Sequence, residues 1–409
     1  MVTALGCRCC GGNDFLPVVD LGQLPLANRL PRTAEEIEAR YPLAAVACRT
    51  CRLVQLTHAV PPALVFADYP YFSSYSSSWV EHARRYAESA TGKLGLTAAS
   101  RVIEVASNDG YLLRHFQAQG IPMLGIEPSD TVAAAATAAG IPTRVQFFGR
   151  HTALSLHAEG LTADLLVANN VLAHVPDLHD FVAGLAVLLA PQGVATLEFP
   201  HLLRLVADVQ FDTIYHEHYS YFSLLAAERV LSTHGLAVFD VEQLPTHGGS
   251  LRLWVQHRTA SHPQGAGLAR LREDERLAGL HTDAFYENFS RQVAGCMAGL
   301  RTYLTQARQD GRRVAAYGAA AKGATLLGCC GAGPDTIAFV ADLNPAKQGR
   351  FLPGTGIPIV SPEHLMAAQP DDVLILPWNL AREISGQLAG IRAWGGRLMV
   401  PLPDVQVLP

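Results

Sequence analysis

The chain has 409 residues, 49% of them apolar and 16% charged, which is too long for one ordinary hydrophobic core and predicts two or three domains. Its 31 basic and 36 acidic residues leave a net charge of −5 with no basic run, so neither nucleic acid nor an anionic membrane is an expected partner. The opening MVTALGCRCC lacks the pattern of a secretory signal, and no apolar run reaches the roughly 18 to 20 residues that span a bilayer; the expectation is a cytoplasmic protein, working as a monomer.

Five of the eight cysteines fall before residue 52, and in a reducing compartment such pairs hold metal or stay reduced. CRCCGG and CRTCRLVQL give C-x2-C at Cys7 and Cys10 and again at Cys48 and Cys51. Four thiolates at such spacing suit tetrahedral zinc, and with no open position the metal is structural. The 37 residues between the knuckles exceed the usual ribbon spacing, so an insert containing LGQLPLANRL and TAEEIEARY must loop out between them. The plainer alternative is four buried reduced thiols. Cys9 is read as a spare.

A helix over SSWVEHARRYAESATGKLG precedes a strand, loop and helix in SRVIEVASNDGYLLRHFQAQG, closed by Gly120. The next strand, PMLGIEPS, ends in Glu127. A carboxylate about 20 residues beyond such a turn suits the two hydroxyls of a ribose. ADLLVANNVLAHVPD and QGVATLEFPHLL supply further strands, so a parallel sheet with ligands at its carboxyl ends is expected. The loop from Glu104 to Gly110 holds one glycine, not G-x-G-x-x-G. It offers a pyrophosphate little room and suits S-adenosylmethionine, which has no phosphate and a cationic methionine end. A purely structural role for Glu104 and Glu127 is the competing reading.

FDTIYHEHYSYFS packs two histidines, acids and tyrosines together. On a strand, His216 and His218 would share one face and Glu217 would point away. A metal site, a proton-transfer site and a polar strand end with aromatic packing all remain open from these residues alone. Residues 263–311 read as long and helical, packing between domains. RRVAAYGAAAKGATLL then repeats the strand-loop-helix pattern, IAFVADLNPAKQG adds a strand ending in Asp342, and DDVLILPWN another.

Taken together, the cysteine quartet, PLANR, YPYFSS, EVASNDGYLL, GIEPS, NNVLAHVPD, FDTIYHEH, HGGSLR, YGAAAKGAT and GPDTIAFVADLNPAKQGRFLPGTGIPI cover nearly the whole chain. In that order they resemble the zinc-containing, S-adenosylmethionine-dependent C-methyltransferases that act on TDP-linked keto-deoxysugars, of the tetronitrose-pathway type. The resemblance implies an α/β protein. Its parts are a zinc-binding lobe (1–66), a Rossmann-like class I methyltransferase domain (67–262), and linker helices with a smaller Rossmann-like α/β domain (263–409) that helps hold a nucleotide-linked sugar.

The resemblance also carries residue roles. Cys7, Cys10, Cys48 and Cys51 match the zinc ligands, and Ala106, Ser107 and Asn108 match the backbone around the methionine part of the cofactor. Glu127 matches the ribose-binding acid, with Glu104 and Gly110 in the same loop unit. Phe147 lies where adenine packs, and Asn170 at the fourth-strand loop. Tyr71, His174, Tyr215, Glu217 and His218 match the polar residues around the reacting carbon, His218 in the general-base position. His216 departs from the family, where an acid can stand. A methylated carbon must first become a carbanion, and an imidazole of pKa ~6.5 accepts the proton of a carbon beside a ketone. Tyr215 or His174 would then face the enolate oxygen. Lys322, near a helix start, suits a diphosphate, and His247, Arg252 and Asp342 are candidates for the same substrate cleft. A non-sugar ketone, or a noncatalytic nucleotide-binding protein, are the alternative functions.

Overall fold

The computed structural model describes residues 5–65 and 72–409, so Tyr71 lies outside the described residues. Three sheets organise the chain. The first is antiparallel: Phe15–Pro25 pairs with Arg40–Cys48, Val54–Leu56 joins that hairpin, and Ser220–Tyr221 from mid-chain closes the edge. The insert between the cysteine pairs is thus a hairpin. Leu16, Val18, Leu21, Leu43 and Ala45 on it enter a core shared with Val314, Leu326 and Ile357 of the C-terminal domain. The first and last parts of the chain therefore share one apolar interior.

The second sheet has the order Leu236–Leu244, Ser250–His257, Leu189–Pro200, Ala163–Asn169, Val102–Val105, Met123–Glu127, Thr143–Val145. The last five are mutually parallel, and Ser250–His257 runs antiparallel to both its neighbours. Winding reverses between Val102–Val105 and Ala163–Asn169, which opens a crevice beyond their carboxyl ends. All four residues of Val102–Val105 are buried, as in any sheet covered on both faces. Helix Ser77–Leu94 forms where the sequence predicts it. The Ser76 side chain accepts from the Trp79 N–H at its start, and Gly95 ends it at φ 62°.

The third sheet is built on the parallel strands Ile357–Val360, Val340–Ala341, Val314–Tyr317, Asp372–Ile375 and Arg397–Val400. The helical stretch before it is two helices, Ala266–Leu277 and Asp283–Gln309, separated at Gly279 with φ 83°. Glu275 bolts the first of them to the methyltransferase domain. Its carboxylate accepts from His201 Nε2 at 2.8 Å and from the N–H groups of Leu224 and Leu225 at 2.6 and 3.0 Å.

One expectation is corrected. His216 and His218 do not share the face of a strand, because Phe211–Thr213 is a single 3-10 turn and the His218 N–H closes another onto the Tyr215 carbonyl at 2.9 Å. Period-two alternation fails in a turn. His216 packs on Tyr41 of the first sheet, with ring centroids 5.9 Å apart, whereas His218 turns to His174 at 4.7 Å. Among the described residues no helix is long and apolar enough to cross a membrane.

Candidate active site

The four knuckle sulfurs lie within 4.8 Å of one another, with Cys7 3.3 Å from Cys51 and Cys10 3.5 Å from Cys48. Tetrahedral zinc with bonds of ~2.3 Å needs sulfurs about 3.8 Å apart, so the quartet fits the ion. Cys9 is buried beside them, and its carbonyl accepts from His179 Nε2 at 2.9 Å. Arg8, inside the first knuckle, donates from one guanidinium nitrogen to the carbonyls of Leu56 and Tyr219, both at 3.0 Å. The zinc lobe thereby holds the backbone next to His218.

In the crevice of the second sheet, the Glu127 carboxylate accepts from the N–H groups of Asn108 at 3.0 Å and Ser129 at 2.9 Å. Burial raises its pKa against those two donors. Ala106, Asn108 and Asn170 adopt φ of 53°, 51° and 57°, left-handed backbone of the sort that collects at ligand sites. Gly110, at φ 75°, has no room for a side chain, since a Cβ would lie 2.8 Å from Ile141. Glu104 Oε2, Ser107 Oγ, Asp109 Oδ1, Asn169 Oδ1 and the Asn170 amide are buried with no hydrogen-bond partner among the described residues. Buried polar atoms are ordinarily paired, so this loop has the donors and acceptors that a polar ligand completes. Burial, then the charges of Glu127 and Asp109, push Glu104 well above the usual carboxylate range. Phe147 lies just past Thr143–Val145 with 58% of its surface exposed, free to meet an aromatic base.

His218, Tyr215 and His174 converge at the neighbouring strand ends. The Tyr215 and His218 rings have centroids 4.1 Å apart. His218 Nδ1 lies 2.8 Å from the Thr213 carbonyl. A carbonyl only accepts, so Nδ1 carries the hydrogen and Nε2 keeps a lone pair. Burial, then the neighbouring His174, hold the His218 pKa well below its usual value, so the ring is neutral. Burial pushes His174 down to about 4, partly offset by a hydrogen bond with the Glu217 backbone. Burial lifts the Glu217 carboxyl to about 7, against the hydrogen bond that it accepts from Asn28 Nδ2 at 2.6 Å.

Opposite stands the C-terminal domain. Lys322, in the first turn of helix Ala321–Cys330, places Nζ 3.2 Å from Asn379 Oδ1 and 4.5 Å from the centre of the Trp378 ring. Trp378 Nε1 donates to Asp212 Oδ2 at 2.7 Å. Burial raises Asp212 to about 6 and lowers Lys322. His247 holds φ 54° and packs edge-on to Trp79 at 5.1 Å. A Cβ on the following Gly248 would lie 2.4 Å from Trp378, which explains the glycine in HGGS. Asp342 repeats the Glu127 arrangement, accepting from the N–H groups of Ala319 at 2.7 Å and Asn344 at 2.8 Å.

Arg252 is not brought to this cleft as a free charge. It is 4% exposed, paired with Glu198 at 2.6 Å and Glu242 at 2.9 Å, and stacked on Tyr86 at 4.4 Å. Burial would raise Glu198, but His82 and Arg252 outweigh it and hold the carboxyl at about 2. Sequence reasoning missed Asn28, Asp212, Trp378 and Asn379. Trp378 and Asn379 lie just beyond the strand Asp372–Ile375, so the rule that ligands gather at strand carboxyl ends could have found them. Asn28 stands in PLANR, one of the segments that carry the resemblance, but nothing local assigns it a role.

Residues 7–66 match a family described as a zinc binding domain, 79–241 a methyltransferase domain, and 245–403 a C-methyltransferase C-terminal domain. C-methyltransferase NovU of Streptomyces niveus is 36% identical over 404 residues, spanning 98% of this chain and 96% of its own. Among solved structures, the magnesium protoporphyrin IX methyltransferase of Synechocystis PCC 6803 with bound S-adenosylmethionine is 17% identical, covering 43% of this chain and 80% of its own at a TM-score of 0.33. A methyltransferase of Clostridium acetobutylicum ATCC 824 is 12% identical over 48% and 95%, at 0.35.

Proposed function

This chain belongs to the S-adenosylmethionine-dependent C-methyltransferases, and from that premise we propose that it methylates the carbon alpha to a ketone, C-3 of a TDP-4-keto-deoxysugar in secondary-metabolite sugar biosynthesis. The observation that carries the reading is the His218 tautomer. Its Nδ1 hydrogen is committed to the Thr213 carbonyl, so a neutral Nε2 is ready to take the proton of an activated carbon. Tyr215 and His174 pack against the same ring, where they can hydrogen-bond the developing enolate. Glu217, pinned by Asn28, holds the turn that carries the base.

S-adenosylmethionine, when bound, supplies the electrophilic methyl group. Glu127 would hold its ribose, the Ala106–Asn108 backbone and Asn170 its methionine part, and Phe147 its adenine. The four cysteines would hold zinc with no open position for substrate. Domains over 1–66, 67–262 and 263–409 divide these tasks, and His247, Lys322 and Asp342 face the nucleotide-linked sugar. Mass spectrometry of the enzyme with S-adenosylmethionine and a TDP-4-keto-2,6-dideoxyhexose tests the reading. One methyl mass gained by the sugar, matched by S-adenosylhomocysteine, is expected. Cofactor binding with no methyl gained would overturn the substrate assignment.

A further inference from the structure

Resting on the enolate reading above, we infer that the Lys322 ammonium supplies the positive charge that meets the enolate oxygen beside Tyr215 and His174, so that the base and the counter-charge come from different domains. Lys322 belongs to the C-terminal domain, yet it sits over the Trp378 ring, whose indole donates to Asp212 in the turn that leads to Tyr215 and His218 and whose edge lies 2.4 Å from where a Gly248 Cβ would stand. Its ammonium has three donors and spends one on Asn379 at 3.2 Å. Among the described residues no carboxylate comes within ion-pairing distance of it. Asp212 is turned instead to the Trp378 indole, with its Oδ1 buried and unpartnered. The Trp378 ring beneath the ammonium fixes its position while leaving the remaining donors available.

A cation next to the base is a liability unless negative charge is to form there. Burial, then His174, hold the pKa of His218 down, and Lys322 adds the smallest share in the same direction. The same cation lowers the pKa of a carbon acid whose oxygen it touches, and that gain appears only as charge develops. A standing diphosphate would bring two charges beside the Asp212 carboxylate, whereas the enolate brings one, and only while it lasts. In the step itself, Nε2 of His218 takes the α-proton and the C–H electron pair becomes the C=C bond. The carbonyl π pair moves onto oxygen, where Lys322 donates a hydrogen bond. The ketone re-forms as the α-carbon bonds to the transferred methyl, the sulfonium's S–C pair stays on sulfur, and the imidazolium returns its proton to solvent.

The test is deuterium wash-in at the α-carbon of the TDP-keto-sugar in D2O, beside kcat, KM and TDP affinity, for wild type, His218→Ala and Lys322→Gln. Wild-type exchange that His218→Ala abolishes establishes the enolate; absence of wild-type exchange sinks that reading and this inference with it. Given exchange, Lys322→Gln is expected to slow both wash-in and kcat by about 100- to 1000-fold, with KM and TDP affinity changed less than about threefold. Exchange at the wild-type rate, with KM or TDP affinity weakened, would assign Lys322 to the diphosphate and overturn the inference. Asn379→Ala serves if the first variant misfolds. Misaiming the ammonium should slow wash-in by about tenfold without raising KM, and unchanged wash-in would count against the assignment.

Discussion

Replacing Glu217 by glutamine is expected to stabilise the protein at neutral pH and leave it unchanged in acid. The carboxyl is 3% exposed, and burial raises it from 4.5 to about 7. Below 4.5 both folded and unfolded chains carry the proton, and the group costs nothing. Between 4.5 and about 7 the unfolded chain ionises alone, so stability falls as pH rises. Above that the loss is constant. At ~1.4 kcal/mol per tenfold the loss amounts to about 3 kcal/mol. Glutamine keeps the Oε1 acceptor for Asn28, so the 2.6 Å hydrogen bond survives and the comparison isolates the charge. Urea unfolding monitored by tryptophan fluorescence, from about pH 4 to about pH 8, gives the difference between variant and wild type directly. It should grow from near zero to about 3 kcal/mol in favour of the variant. A difference that does not change with pH would refute the claim that this carboxyl is buried and reluctant to ionise.

Other substitutions probe the same geometry. His218→Ala should cut methyl transfer by about 1000-fold or more while calorimetry shows S-adenosylmethionine binding nearly intact, because Glu127 and its loop are untouched; retained turnover would remove His218 from the base role. Glu127→Ala should weaken cofactor affinity by about 10- to 100-fold, the worth of hydrogen bonds to a charged group, with substrate KM at saturating cofactor little changed. Stripping zinc, or Cys48→Ser, should lower the melting temperature and the activity together. Arg8 holds the Tyr219 carbonyl and Asn28 holds Glu217, so loss of the lobe's order reaches the base; full turnover by verified zinc-free protein would sever that link.

Much of the site was legible because its parts announce themselves locally. Two C-x2-C pairs predicted the sulfur cluster that the fold closes to within 4.8 Å. The strand ending in Glu127 and the one-glycine loop predicted a crevice, and the Glu127 hydrogen bond to the Asn108 N–H places acid and loop together. The stretch around His216 was misread in one respect. Strand alternation was expected, and the turn closed by Tyr215 and His218 sends the two histidines to different lobes. Arg252 was expected in the substrate cleft, and the structure pairs it with Glu198 and Glu242, partners from other strands that the sequence does not announce.

Local chemistry therefore determined the elements, the metal-binding quartet and the kind of cofactor, since hydrophobic period, thiolate spacing and loop composition are short-range properties. Tertiary structure alone decided which side chains share the cleft. It brought Asn28 from the zinc lobe to Glu217, and Trp378 from the C-terminal domain to Asp212. The His218 tautomer, by contrast, is selected within the turn itself, by a carbonyl five residues away. Contacts between residues 166 and 189 positions apart depend on how three sheets pack, and no spacing rule along the chain encodes that packing.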